Sequence, residues 1–200
     1  MANHGTNDSS RQALLEAAFH EFWTRGYNGT RVDEIVEQTA FTKGAFYHHF
    51  PSKKALVCAV IREIIGAMLD ERWLRPLRDA PNPVAAIAQC LDAVRCDGPE
   101  GVRNGCPLNN LAQELSGSDD EIRLLAQEYF EKWINGFTEA IKESQTHGQI
   151  RPDVDPRLLA TTIVAGYEGG VSLAKAARSA MPLNTVLDGL IRQLNELRIT

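Results

Sequence analysis

The run Thr42-Lys43-Gly44-Ala45-Phe46-Tyr47-His48-His49-Phe50 concentrates the side chains best placed to do chemistry. On a helix, Phe46 and Phe50, four residues apart, share one face with Ala45, while Lys43 and Tyr47, also four apart, share another with Gly44 and His48. The result is an apolar underside beneath an outer face that carries donors and no acid. Lys43 suits a phosphate oxygen or a guanine edge, and Tyr47 and His48 suit phosphate oxygens or a thymine methyl. A glycine inside a helix costs roughly 1 kcal/mol, and Gly44 offers in return a close approach of backbone to a ligand. Thr42 can cap the helix while its hydroxyl also reaches phosphate. From Gln38 to Lys54 the chain holds Lys43, Lys53, Lys54, His48 and His49 and no acid, which is a small phosphate-facing patch.

A second candidate is Gly105-Cys106-Pro107, which puts a thiol at an expected helix N-terminus with Arg103 close by. The helix dipole and free amides there lower a thiol's pKa, so Cys106 could sense oxidants or electrophiles, with Cys96 or Cys90 as a resolving partner. The alternative is that Cys106 only fills space. The four cysteines, Cys58, Cys90, Cys96 and Cys106, form no C-x-x-C pair and no histidine stands at finger spacing. No metal site and no cofactor are therefore expected. His48 and His49 are adjacent and make a poor chelate. With no Ser-His-Asp order and no phosphate loop, no catalytic residue is assigned and the chain is not expected to be an enzyme. An all-α ligand-binding protein or enzyme without DNA binding is the rival class.

These residues must be positioned by helices. The chain has 200 residues and a net charge of −5, which argues against coating nucleic acid along a whole surface. Residues 1–55 hold six basic and six acidic side chains, so the deficit lies entirely in residues 56–200. No apolar run is long enough to span a bilayer, so no membrane contact is expected. The first ten residues lack the features of a signal peptide, so the expected location is cytoplasmic with reduced thiols. Residues 1–9 read as a flexible tail.

Almost every later segment shows the 3.6-residue period, and no convincing strand appears. Leu14, Leu15, Ala18, Phe19 and Phe22 face one way on a helix that ends at Gly26. Thr30 with Asp33 reads as a partial capping box for a short second helix carrying Val32, Ile35 and Val36 inward. Thr42 caps the third helix and Ser52 starts a long fourth one with Leu56, Val60, Ile64 and Met68, and room for Trp73. Asn82-Pro83 opens a fifth, followed by a loop at Asp97-Gly98-Pro99-Glu100-Gly101. A short helix begins near Cys106. Ser118 with Glu121 reads as a capping box for the longest helix, Asp155-Pro156 opens the next, and the last follows Pro182 with Leu183, Leu187, Leu190, Leu194 and Leu197. The expectation is an all-α fold of about nine helices, without internal repeats. Three helices in about forty residues, with a tight turn between the second and third, form a helix-turn-helix pattern.

The run from Thr30-Arg31-Val32-Asp33-Glu34-Ile35-Val36 to Lys43-Gly44-Ala45-Phe46-Tyr47-His48-His49-Phe50-Pro51-Ser52-Lys53-Lys54-Ala55-Leu56 closely resembles the DNA-binding domain of the TetR/AcrR family of transcriptional regulators. The resemblance implies a helix-turn-helix domain at residues 10–55 and an effector-binding and dimerisation domain at 56–200. It implies that Thr42, Lys43, Gly44, Tyr47 and His48 touch double-stranded operator DNA, that Lys53 contacts phosphate, and that Thr30 and Arg31 belong to the same face. Where the family usually has glycine in the turn before the recognition helix, this chain has Ala40. If that position needs positive φ, Ala40 costs about 1 kcal/mol and the helix is re-angled.

The resemblance also implies a homodimer and a small-molecule effector, hence a ligand-responsive repressor acting on a palindromic operator. Gly166, Gly169 and Gly170 among alanines, with the seam Leu187, Leu190 and Leu194, are the candidate dimer interface. Met68, Cys106, Asn109, Asn110, Tyr129, Trp133, Phe137, Tyr167 and Glu168 are candidates for the effector pocket, suited to a mid-sized, partly apolar ligand. Core packing is the alternative for each of the aromatics.

Overall fold

The computed structural model describes residues 4–199, with side chains from Ser9 onward. Among the described residues the secondary structure is helical, apart from one isolated antiparallel bridge between Ile150 and Arg198. The chain divides into two compact units, residues 1–67 with 107–126, and residues 68–106 with 127–200. The sequence alone divides the chain differently, into a tail at residues 1–9 and domains at 10–55 and 56–200.

The first unit opens with α1, His4–Arg25. Residues 1–3 of the expected flexible tail lie outside the described residues, and residues 4–9 are helical instead. Extending a helix adds one bond per residue fixed, so a helix nucleated by its buried face runs back through polar residues. That face is Leu14, Leu15, Ala18 and Phe22. α1 ends where Gly26 takes a φ of +78°. α2, Val32–Glu37, buries Ile35 and Val36, and α3, Lys43–His49, buries Phe46. The cap of α2 differs from the expectation. Arg31 is the N-cap, and Glu34 accepts its backbone N–H at 2.7 Å, because the Thr30 hydroxyl is already donated to the Gly26 carbonyl at 2.8 Å.

Thr42 and Ser52 cap as their types suggest, accepting the N–H groups of Ala45 at 3.3 Å and Ala55 at 3.0 Å. α4, Lys53–Ala59, then buries Leu56, Val57, Cys58 and Ala59, and a π-helical stretch, Val60–Ile65, leads into α5, Gly66–Leu69. A later segment returns to this unit. α9, Pro107–Leu115, buries Leu108, Leu111 and Leu115.

In the second unit a further π-helical stretch, Asp70–Leu74, runs into α6, Arg75–Arg78. Asn82 caps α7, Pro83–Ala93, by accepting the Ala85 N–H at 3.0 Å. The stretch read as a loop at residues 97–101 is largely helical: α8 spans Gly98–Asn104. Gly98 supplies a φ of +70° for the turn into it, and Pro99 lies in the first turn, where its missing N–H costs nothing. α10, Asp120–Thr146, starts in the first unit and runs on into the second, and it is capped by Asp119 rather than Ser118: the aspartate accepts the N–H groups of Glu121 and Ile122 at 3.1 and 3.2 Å.

α11, Pro156–Ala177, and α12, Met181–Leu197, close the second unit. Their mutual packing explains the glycines. A Cβ on Gly166 would lie 3.3 Å from Leu190, and one on Gly170 would lie 3.1 Å from Val186 and 3.2 Å from Leu183. Small residues here let two helices of one chain approach each other.

Candidate nucleic-acid interface

The third helix is built with two faces. Phe46 is fully buried and Phe50 nearly so, their ring centroids 6.1 Å apart, and burial of one such ring stabilises the unit by roughly 1.5–3 kcal/mol. Lys43, Gly44, Tyr47 and His48 are exposed, Tyr47 by 56% despite its large ring. The Tyr47 ring stands edge-on to Phe46 at 5.0 Å, which orients it from below. A Cβ on Gly44 would meet only Thr42 Oγ1, at 3.6 Å, so no packing within the unit requires glycine there.

Lys43 Nζ sits 2.7 Å from Asp33 on α2, and this hydrogen bond raises the lysine pKa. Arg31 is exposed and only loosely paired with Glu34, at 3.5 Å. The turn before α3 is held by side chains. The nearly buried Glu21 accepts from Gln38 Nε2, and Thr39 donates to the Val36 carbonyl at 2.9 Å. Ala40 has no positive φ; among the described non-glycine residues only Arg178 does. The turn carries no left-handed residue, so alanine replaces glycine there without the expected strain.

Two residues expected at the DNA face are committed elsewhere. Thr30 is fully buried with its hydroxyl on Gly26, because the turn from α1 to α2 folds over it. Lys53 Nζ donates to the carbonyls of Tyr27 and Thr30, at 2.8 Å each, and lies 4.1 Å from the Tyr27 ring centroid. Burial lowers the pKa of that ammonium. Asp33 anchors Lys43, and Glu21 holds Gln38 before α3; spacing alone points to Asp33 only as a capping partner, because an acid beside Lys43 leaves no periodic signal.

Of the residues expected at an effector pocket, Asn109 and Asn110 belong to the first unit, and Met68, in the second, is 42% exposed beside the buried Leu69. Tyr129 is half-buried beneath Lys132. Trp133, Phe137 and Tyr167 do gather inside the second unit, around Trp73, whose spacing marks it only as a helix residue. Trp73 lies 4.7 Å from Trp133, 4.9 Å from Tyr167 and 6.1 Å from Phe137, centroid to centroid. Burial pushes the Tyr167 hydroxyl pKa strongly up. The Trp133 indole N–H is buried with no hydrogen-bond partner among the described residues. Glu168 is buried on the same helix as Tyr167, and Cys106 is half-buried near Tyr167. Cys90 is buried with its thiol pKa raised, which makes it a poor resolving partner.

Of the expected dimer residues, Gly166, Gly170, Leu187, Leu190 and Leu194 pack within one chain; Gly169 alone faces open space. A heptad-like leucine seam is served equally by a neighbour in the same chain, which is why spacing did not distinguish the two.

A buried-faced three-helix unit presenting donors on its third helix defines a helix-turn-helix DNA-binding protein. Residues 14–60 match the bacterial regulatory proteins of the tetR family, and residues 84–190 match the tetracyclin repressor-like C-terminal domain. The chain is 34% identical to the HTH-type transcriptional repressor DhaR of a Mycobacterium strain, covering 88% of each chain. It is 29% identical to the transcriptional regulator AcuR of Cereibacter sphaeroides, covering 90% of this chain and 84% of that one. A crystal structure of a TetR transcriptional regulator from Chloroflexus aurantiacus superposes with a TM-score of 0.87 at 28% identity, covering 98% of this chain and 99% of the other. The chain belongs to the TetR family of transcriptional regulators. Among its described residues no helix is long and apolar enough to cross a membrane.

Proposed function

We propose that the chain is a cytoplasmic, ligand-responsive repressor that binds a palindromic operator as a homodimer and is released by a small-molecule effector. The observation that carries this reading is the two-faced α3, with Lys43, Gly44, Tyr47 and His48 outward over buried Phe46. The repressor sense draws on the DhaR relative, whose name gives that role.

Dimerisation draws on the outer side of α11. Leu158, Thr162, Ala165, Gly169 and Leu173 are exposed at helical spacing, with Leu158 66% and Leu173 58% open. That stripe replaces the buried glycines and leucines as the proposed interface, joined by Met181 of α12. A palindrome needs two recognition helices about 34 Å apart, which one chain cannot supply. The effector site centres on Trp73, Trp133, Phe137 and Tyr167, which suit a flat, largely apolar molecule able to accept a hydrogen bond from the Trp133 indole. Binding there would favour dimers whose recognition helices no longer fit the operator spacing.

A second reading uses Cys106. It is half-buried, whereas Cys58 and Cys90 are buried with raised thiol pKa values, so an electrophile reaches Cys106 sooner than either, and the exposed Cys96 is the accessible candidate for a resolving partner. Normal release by an electrophile in Cys106→Ser would remove that reading.

The test of the main reading is a mobility-shift assay on DNA flanking the gene, with light scattering of the complex. A salt-sensitive complex of two chains, lost when one half-site is scrambled, is the expected result. No complex on any nearby intergenic DNA, or one chain bound to a single half-site, contradicts it.

A further inference from the structure

The turn between α1 and α2 is gripped from two sides by opposite charges. Glu114, on α9, accepts the backbone N–H of Tyr27 at 2.8 Å through Oε2 and that of Asn28 at 2.6 Å through Oε1. Lys53, at the start of α4, takes the carbonyls of Tyr27 and Thr30. Two amides of the turn are thus satisfied by a carboxylate and two of its carbonyls by an ammonium. Charge-assisted bonds made in pairs fix direction as well as distance.

The sequence of the turn is shaped to this grip. Gly26 holds a φ of +78°, and a Cβ there would stand 2.9 Å from Glu114 Oε2. A Cβ on Gly29 would collide with the Arg25 carbonyl. Thr30 closes the turn from inside through its bond to the Gly26 carbonyl. α2 begins two residues later, and α3 follows after the short turn pinned by Glu21 and Thr39. α1, α2 and α3 each bury an apolar side chain of their own, Leu14, Ile35 and Phe46. What Glu114 adds is a fixed point, 87 residues away along the chain, for the segment that leads into α2.

We propose that Glu114 is a positioning residue for operator recognition: from α9 it clamps the Gly26–Thr30 turn and so sets the stance of α2 and of the recognition helix. This rests on the DNA-binding reading. A displacement of α9 would reach the DNA-binding helices by loosening the clamp, without any change in α3 itself.

The experiment compares full-length wild type, Glu114→Gln and Glu114→Asp. Operator DNA and a scrambled duplex are titrated by fluorescence anisotropy, well below each protein's Tm. Amide nitrogen–proton correlation spectra are followed through the carboxylate pH range. Glutamine keeps the size but offers only one acceptor oxygen, so Glu114→Gln should raise the operator Kd about tenfold while the scrambled-duplex Kd changes less than about twofold. Glu114→Asp should recover part of the operator affinity. In wild type the Tyr27 and Asn28 amide signals should move as the carboxylate is protonated, and in Glu114→Gln they should not. Equal losses on both duplexes, or amide signals indifferent to pH, would overturn the proposal. An unchanged operator Kd in Glu114→Gln would do the same. If wild type itself forms no operator complex, the DNA-binding reading fails, and pH-dependent amide signals would then support only the clamp's geometry.

Discussion

The Lys43 ammonium lies 2.7 Å from Oδ1 of Asp33, which ties the first residue of the recognition helix to the first turn of α2. Both side chains are more than half exposed, so the pair is screened by salt and adds little to stability. Its effect is on where the cation points. Asp33→Asn should free Lys43 for phosphates, raising scrambled-duplex affinity severalfold and lowering discrimination. Lys43→Ala should reduce the slope of log K against log salt by about 0.9, the share of one phosphate contact. Anisotropy titrations at stepped salt read both.

Two neighbouring glycines of α11 should respond in opposite ways. A Cβ on Gly170 meets Val186 and Leu183 at 3.1–3.2 Å, where Val186 is branched at the contacting atom and cannot swing aside. Gly170→Ala should cost about 1–3 kcal/mol through overpacking. A Cβ on Gly169 meets nothing, so Gly169→Ala should gain up to about 1 kcal/mol in helix propensity. Gly169→Leu should instead weaken the proposed dimer. Urea melts and light scattering separate the three.

The α2 capping box makes stability depend on pH. The Arg31 backbone N–H, and after it Arg25, hold the Glu34 carboxyl below the usual glutamate range. Its contribution is therefore fully present above the unfolded glutamate pKa and is lost as pH falls through the lower, folded value. Glu34→Gln should lower Tm at neutral pH and flatten the acid limb of the Tm–pH curve. An unchanged acid limb would mean the box contributes nothing.

The aromatic group of the second unit is open to a similar contrast. Trp133→Ala should cost about 3–5 kcal/mol, the penalty for emptying a buried aromatic site. Trp133→Phe loses ring volume but also removes a buried N–H that has no partner among the described residues, an arrangement worth about 1–3 kcal/mol of penalty. The two terms oppose, so Trp133→Phe should change stability by less than about 1.5 kcal/mol. Equal costs for both variants in urea melts would contradict this.

The two faces of α3 were legible because Phe46, Phe50, Lys43 and Tyr47 follow one periodicity, and their solvent exposure obeys it. Caps were legible where a single polar side chain preceded a proline or an apolar run, as at Thr42, Ser52, Asn82 and Asp155. Thr30 and Ser118 failed because a neighbour offered a better-placed group: Arg31 with Glu34 in one case, Asp119 in the other. Lys53 and Glu114 show a different limit. Their partners are backbone groups at least 23 residues away, and no side-chain pattern encodes such a pairing. The glycines and leucines of α11 and α12 promised close helix packing, which the structure has, but spacing carries no information on whose helix is met.

Operator reading by the outer face of α3 is tested most directly by fluorescence anisotropy of Tyr47→Ala on operator DNA. Tyr47 is 56% exposed, so its removal should leave Tm nearly unchanged. Operator affinity should fall by at least about tenfold. An operator Kd equal to that of wild type, in a protein of unchanged Tm, would contradict the assignment of α3 as the recognition helix.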